Sequence, residues 1–254
     1  QFPHSASRVN IVNGMHAIDA RHYLFDLRNM ELRNSFIHLP EYDQVLLFTR
    51  MVMYLGNTAN LAAGLSFAGQ VCVPGYRVGL AHMTDYFMTT TCAAHELGHS
   101  LGAVHDGEPN ATDCRAEDAF IMSPFIAGSD PNMPYSKNNY LFSNCSVEAF
   151  KKTLPNKVCV TRKPHYTQPE LDEWNKFMSK LPGQEYTLLM QCVLLMGHGS
   201  RYCGALPGSI CQLMYCFDPR ISKCIDIPFR AATGTTCGIN MWCQQGLCVQ
   251  KRLK

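Results

Sequence analysis

Thirteen cysteines are spread unevenly along this 254-residue chain: five precede residue 160, and eight fall between Cys192 and Cys248. No C-x-x-C pair occurs among them. Structural zinc or iron–sulfur ligation is therefore not expected, and dense cysteines without metal spacing point to disulfides and an oxidising compartment. The last eight occupy a stretch with little regular periodicity, expected to be a small domain stapled by bridges because it cannot bury enough core. Eight cysteines allow about a hundred pairings, and spacing alone does not choose among them.

The rest of the chain has material for a true core, since 46% of residues are apolar. The formal net charge of +2 implies no polyanion partner, so no nucleic acid. The C-terminal KRLK reads as a solvated tail. No apolar run approaches the length that crosses a bilayer. The sequons Asn110-Ala-Thr and Asn144-Cys-Ser agree with secretion and mark Asn110 and Asn144 as possible glycosylation sites. The opening QFPHSASRVN is polar, has no apolar signal region and suggests a processed or partial sequence.

The chemistry concentrates in HELGHSLGAVHD, from His95 to Asp106. Residues four apart on a helix are rotated by about 40° and separated by roughly 6 Å, so His95 and His99 project from one face. Glu96 sits beside them, able to hold a water without being a ligand. Gly102 lets the backbone leave the helix in a conformation other residues resist, and the chain can then swing His105 back. Three neutral imidazoles and one open position describe a catalytic rather than a structural zinc site. H-E-x-x-H alone arises by chance; with Gly102 and His105 at this spacing it is specific.

This stretch resembles the zinc motif of the metzincin proteases, and Asp106 resembles the reprolysin (adamalysin) branch, which includes snake-venom metalloproteases, ADAMs and ADAMTS enzymes. The resemblance implies a zincin-like α/β (α+β) domain with a mixed twisted sheet and a zinc-binding helix over residues 1–160. A linker at 161–180 and a disulfide-rich irregular module at 181–254 would follow. It implies one catalytic zinc held by His95, His99 and His105, with Glu96 as the general base. It also implies that the family's first strand and first long helix are missing here.

Taken in order, a helix is expected near Ala17 to Arg33. Gln44–Tyr54 is a near-continuous apolar run that reads as one buried strand. Asp43 resembles a family calcium ligand, or is simply a solvated strand-start aspartate. Arg162 stands where the family's neighbouring calcium ligand would be, so no calcium is expected. Val78–Asp85 resembles the edge strand of the metzincin cleft, where a peptide substrate would add as an extended strand; His82 on it reads as a strand residue, not a ligand. The zinc helix is expected to begin near Thr90. Cys92 is then a thiol of lowered pKa near a helix N-terminus, a small buried hydrophobe, or the partner of an N-terminal cysteine.

By resemblance Met122 is the methionine turn under the zinc, and Ser123-Pro124-Phe125 wall the pocket after the scissile bond. Phe120 stands where ADAMs usually have a cysteine, so one family disulfide is absent. Ser146 is expected to cap a last helix to Leu154, and a short helical turn is expected at Leu171–Met178.

The module from 181 resembles the disintegrin-like module of ADAMTS enzymes, and the chain as a whole looks like short secreted reprolysins of the tick salivary type. The resemblance implies Cys72–Cys159, Cys114–Cys145, Cys192–Cys216, Cys203–Cys224, Cys211–Cys243 and Cys237–Cys248. No Arg-Gly-Asp occurs, so integrin binding is not supported. The expected function is a secreted zinc metalloendopeptidase acting on matrix or blood proteins. The alternative is a non-catalytic secreted protein that presents the cysteine-rich module.

Overall fold

A computed structural model describes residues 9–12, 14–36, 39, 41–83, 86–125, 137–162, 166–204, 209–227 and 230–251. The opening segment through Arg8 and the end of the basic tail, Arg252–Lys254, lie outside the described residues, as do Thr84 and Asp85. The chain divides into two compact units, the first drawn from residues 1–84, 88–126 and 138–162 and the second from 85–87, 127–137 and 163–254.

In the first unit, β1 (Val9–Val12) and β2 (Met15–Asp19) pair antiparallel and lead into α1 (Ala20–Leu32). Asp19 caps α1 by accepting from the Arg21 and His22 amides at 2.9 and 3.4 Å, which satisfies donors that a helix start leaves open. β3 (Val45–Thr49) and β4 (Val52–Leu55) follow, then β5 (Asn57–Ala62), β6 (Gly64–Ser66) and β7 (Val78–His82). The strands form two sheets, ordered β1-β2-β4-β5 and β3-β7-β6. Ile18, Leu24, Leu27, Met53, Val78 and Leu80, each no more than 3% exposed, form one core between α1 and both sheets. Buried Glu31 pins α1 to the segment before β7: it accepts from Arg77 Nε at 2.9 Å and from the Gly75 amide.

Two strand expectations need correction. Gln44–Tyr54 is two strands in different sheets, because the Thr49 hydroxyl accepts from the Met51 amide at 3.1 Å and the chain breaks at Arg50–Met51. Val78–His82 is the central strand of its sheet, parallel to β3 and antiparallel to β6; β3 and β6 are the edges. Val78, Leu80 and Ala81 are fully buried, and a run apolar at every position suits a strand covered on both faces.

α2 (Tyr86–Ser100) starts four residues before the expected Thr90. The β-branched Thr89–Thr91 cost well under 1 kcal/mol each in a helix, which packing overrides where Thr91 and Cys92 are buried. α3 (Asn144–Thr153) is capped by Ser143 rather than Ser146; the Ser146 amide is the donor, at 3.2 Å. α4 (Val158–Thr161) ends the unit. Cys72–Cys159 and Cys114–Cys145 are bonded.

The second unit opens with α5 (Gln168–Met178), three turns where one was expected. The Glu170 carboxylate accepts from both the amide and the hydroxyl of Thr167, fixing a start upstream of the apolar residues. α6 (Pro182–Glu185) and α7 (Leu188–Met196) follow. A hairpin of β8 (Met214–Asp218) and β9 (Lys223–Ile227) precedes a meander of β10 (Thr236–Gly238), β11 (Met241–Gln244) and β12 (Leu247–Gln250). The core is built from cystines: Cys192, Cys211, Cys216 and Cys243 lie at 0–1% exposure around Met214. The bonds are Cys192–Cys216, Cys203–Cys224, Cys211–Cys243 and Cys237–Cys248. Among the described residues no helix is long and apolar enough to cross a membrane.

Candidate active site

His95 and His99 lie one turn apart on α2, and the chain then reverses. Gly102 takes φ 109°, with its amide on the His99 carbonyl at 2.8 Å, while Ala103 N–H closes on the Gly98 carbonyl at 2.9 Å. A side chain on Gly102 would run into Thr153. The turn returns His105 to the helix face, where its Nε2 lies 3.2 Å from Nε2 of both His95 and His99.

The outer nitrogens decide what these rings can do. Nδ1 of His95 faces the Ile121 carbonyl at 2.7 Å, that of His99 the Ala103 carbonyl at 2.9 Å, and that of His105 the Glu108 carboxylate at 2.8 Å. Each Nδ1 must donate, so in the neutral ring each Nε2 carries a lone pair. Three lone pairs aimed at one point repel unless a cation lies there. A tetrahedral zinc with bonds of about 2.0–2.1 Å sets its ligand nitrogens roughly 3.3 Å apart, so the donor set fits that ion. Burial supports the neutral state: it pushes His95 down to about 3, helped by the neighbouring His99, and lowers His99 as well.

Glu96, the residue after His95 on α2, is 3% exposed. Burial pushes its carboxyl up to about 8, against a lowering from the Ser66 hydroxyl. That hydroxyl lies beside the carboxylate without reaching hydrogen-bond geometry, and Glu96 Oε2 has no partner. β6 crosses directly over this side chain. A Cβ on Gly64 would overlap the Glu96 carboxylate, and one on Gly79, the register partner of Ser66, would overlap the Ser66 hydroxyl. A buried carboxylate with an unpartnered oxygen, one residue from the first of three convergent imidazoles, is suited to moving protons.

A sequence profile described as "Reprolysin (M12B) family zinc metalloprotease" matches residues 22–164. The chain belongs to the reprolysin family. A second profile, "ADAMTS cysteine-rich domain 2", matches residues 182–249; the module read as disintegrin-like thus matches under a cysteine-rich description. A Bombyx mori protein called "A disintegrin and metalloproteinase with thrombospondin motifs like" is 31% identical over 93% of this chain and 34% of its own length. "A disintegrin and metalloproteinase with thrombospondin motifs 18" of Mus musculus is 38% identical over 62% of this chain and 12% of its own. The Homo sapiens protein numbered 20 in that series is 29% identical over 85% and 11%. The chain thus spans about a third or less of these relatives.

In this reprolysin chain Met122 is fully buried. The preceding Ile121 carbonyl holds His95, and the Met122 carbonyl accepts from the Asp106 amide at 2.9 Å. Asp106 is buried and accepts from the Ser143 hydroxyl at 2.6 Å, tying the end of the histidine turn to the start of α3. Met122 packs so close to Gly98 that a Cβ there would collide with its sulfur and with Phe142. Gly98→Ala is therefore expected to cost about 1–3 kcal/mol of overpacking, outweighing the roughly 1 kcal/mol alanine gains in helix propensity. Thermal melting reads the difference; an unchanged or higher Tm would mean that Met122 yields freely.

The remaining sequence-derived positions fall as follows. Ser123 is buried, and Phe125 stands 63% exposed with its amide on the Ser123 hydroxyl. His82 ends β7, outside the histidine cluster. Cys92 is a buried free thiol that donates to the Ala63 carbonyl at 2.9 Å, and burial pushes its pKa up to about 12. This is an inert interior thiol, not an activated one. The Arg162 guanidinium lies 2.5 Å from Glu41 and 3.7 Å from Asp43, occupying the cationic place between those carboxylates. Asn110 and Asn144 are exposed, but the Ser146 hydroxyl of the second sequon is buried against Ser143. Sequence reasoning missed Gly64, Ser66 and Glu108. Only Glu108 left a local trace, three residues after His105.

Proposed function

We propose that this chain is a secreted zinc-dependent endopeptidase that hydrolyses extracellular proteins, with His95, His99 and His105 as zinc ligands and Glu96 as the general base. The observation that carries the reading is the set of three imidazoles with every Nδ1 already engaged and every Nε2 convergent, beside a buried carboxylate with a free oxygen. Bound zinc supplies Lewis acidity that polarises the scissile carbonyl and acidifies water. Glu96 takes the proton from the attacking water and returns it to the leaving amine. Its burial favours holding that proton between the two events, and β6 above it keeps bulk water out.

The substrate main chain docks as an added strand along the open edge of β6, which among the described residues pairs only with β7. This places the peptide over Glu96 and makes binding largely indifferent to side-chain sequence. Ser123–Phe125 flank the pocket beyond the scissile bond. The cysteine-rich module, residues 181–254, offers protein substrates a second surface, and its bridges agree with secretion. A quenched fluorogenic peptide tests the reading. Turnover should stop with a zinc chelator and return when zinc is restored. A purified zinc-loaded chain that binds matrix or blood proteins but never cleaves the peptide would favour the non-catalytic alternative.

A further inference from the structure

Two of the three histidines lean on main chain, and the third does not. Ile121 and Ala103 offer carbonyls to His95 and His99, fixed by the methionine turn and by the end of α2. His105 instead leans on the Glu108 carboxylate at 2.8 Å, a side chain 51% exposed on a loop. That loop is shaped for the contact. Gly107 takes φ 88°, which returns the chain on itself. The Glu108 amide donates to the His105 carbonyl at 3.2 Å, and Gly107 and Ala111 then close the loop through amides on the Ala111 and Glu108 carbonyls at 3.1 and 2.8 Å.

We propose that Glu108 is a positioning residue for the metal centre: its carboxylate fixes the proton on His105 Nδ1 and orients the ring so that Nε2 faces the other two. This rests on the reading of the three histidines as zinc ligands. His105 has more need of such support than the other two. His95 and His99 ride on a helix whose backbone sets their ring positions, whereas His105 comes from a loop and is 30% exposed, free to rotate without a partner. A carboxylate on the far nitrogen also makes the near one a stronger donor than a carbonyl does, and loss of such outer partners costs about 10–100-fold in metal affinity.

The test is zinc affinity by competition with a chromophoric chelator, measured on wild type, His105→Ala, Glu108→Ala and Glu108→Gln. Each metal-free protein is also melted. Glu108→Ala should bind zinc about 10–100-fold more weakly, with its metal-free Tm unchanged because the side chain is largely in water. Glu108→Gln keeps an acceptor oxygen in place and should recover part of the loss, the part owed to ring orientation and not to the carboxylate charge. The proposal is overturned if Glu108→Ala binds zinc within about twofold of wild type, or if Glu108→Gln is as weak as Glu108→Ala. Failure of wild type itself to bind zinc, or full affinity in His105→Ala, would instead sink the underlying ligand assignment.

Discussion

Glu96→Gln is expected to keep zinc and to lose peptide hydrolysis by about 10²–10⁴-fold in kcat, the usual share of a positioned general acid–base. The amide has the same shape, so it still fits beneath Gly64. It cannot accept the proton of the attacking water. The carboxyl it replaces is buried and prefers its neutral form in the metal-free protein, so the substitution removes little stability. Metal analysis of the purified variant and its rate on the fluorogenic peptide decide the matter together. Wild-type turnover with full zinc would remove Glu96 from the mechanism.

Gly64→Ala is expected to do nearly as much damage without touching a reacting group. Its new methyl would lie where the Glu96 carboxylate now lies, against Oε1, Cδ and Cγ at once. Rotation of a single oxygen does not relieve that overlap, so the carboxylate must leave its present seat. A displacement of about 1 Å at a catalytic group costs on the order of 10²-fold in rate. The loss should fall on kcat. The main chain of β6 that would receive a peptide is unchanged, so KM should move little, and the three histidines should keep their zinc. Unaltered kcat in a zinc-loaded Gly64→Ala protein would mean that the carboxylate has another productive seat.

These two positions differ in how far the sequence alone makes them legible. Glu96 is visible in the sequence, because H-E-x-x-H is a helical repeat and its chemistry is local. Gly64 lies 32 positions upstream in a stretch of small residues and acquires meaning only when β6 is laid over α2. The expectation of the cleft edge at Val78–Asp85, where the structure has the central strand β7, fails for the same reason. Both segments are short and apolar, and which one is central depends on pairing with β3, which a local pattern does not encode. A local signal is nonetheless present, since four apolar residues without alternation argue for a covered strand. The extra turns of α5 and the cap of α3 were likewise legible, in the Thr167–Glu170 pair and in Ser143, three positions before Ser146.

By itself the sequence determined the residue types of the centre, since three histidines and a glutamate at those spacings leave one helix face and one glycine turn to supply them. It also determined that the C-terminal unit would be held by cystines, because so short a segment has too little apolar volume to fold otherwise. Only the tertiary structure decided which outer partners fix the rings, which strand covers Glu96, and why Gly98 and Gly102 must be bare. Apart from Ala103 and Glu108, which lie within four residues of the rings they hold, those are contacts between atoms far apart in the chain, set by close packing across elements rather than by any periodicity along them.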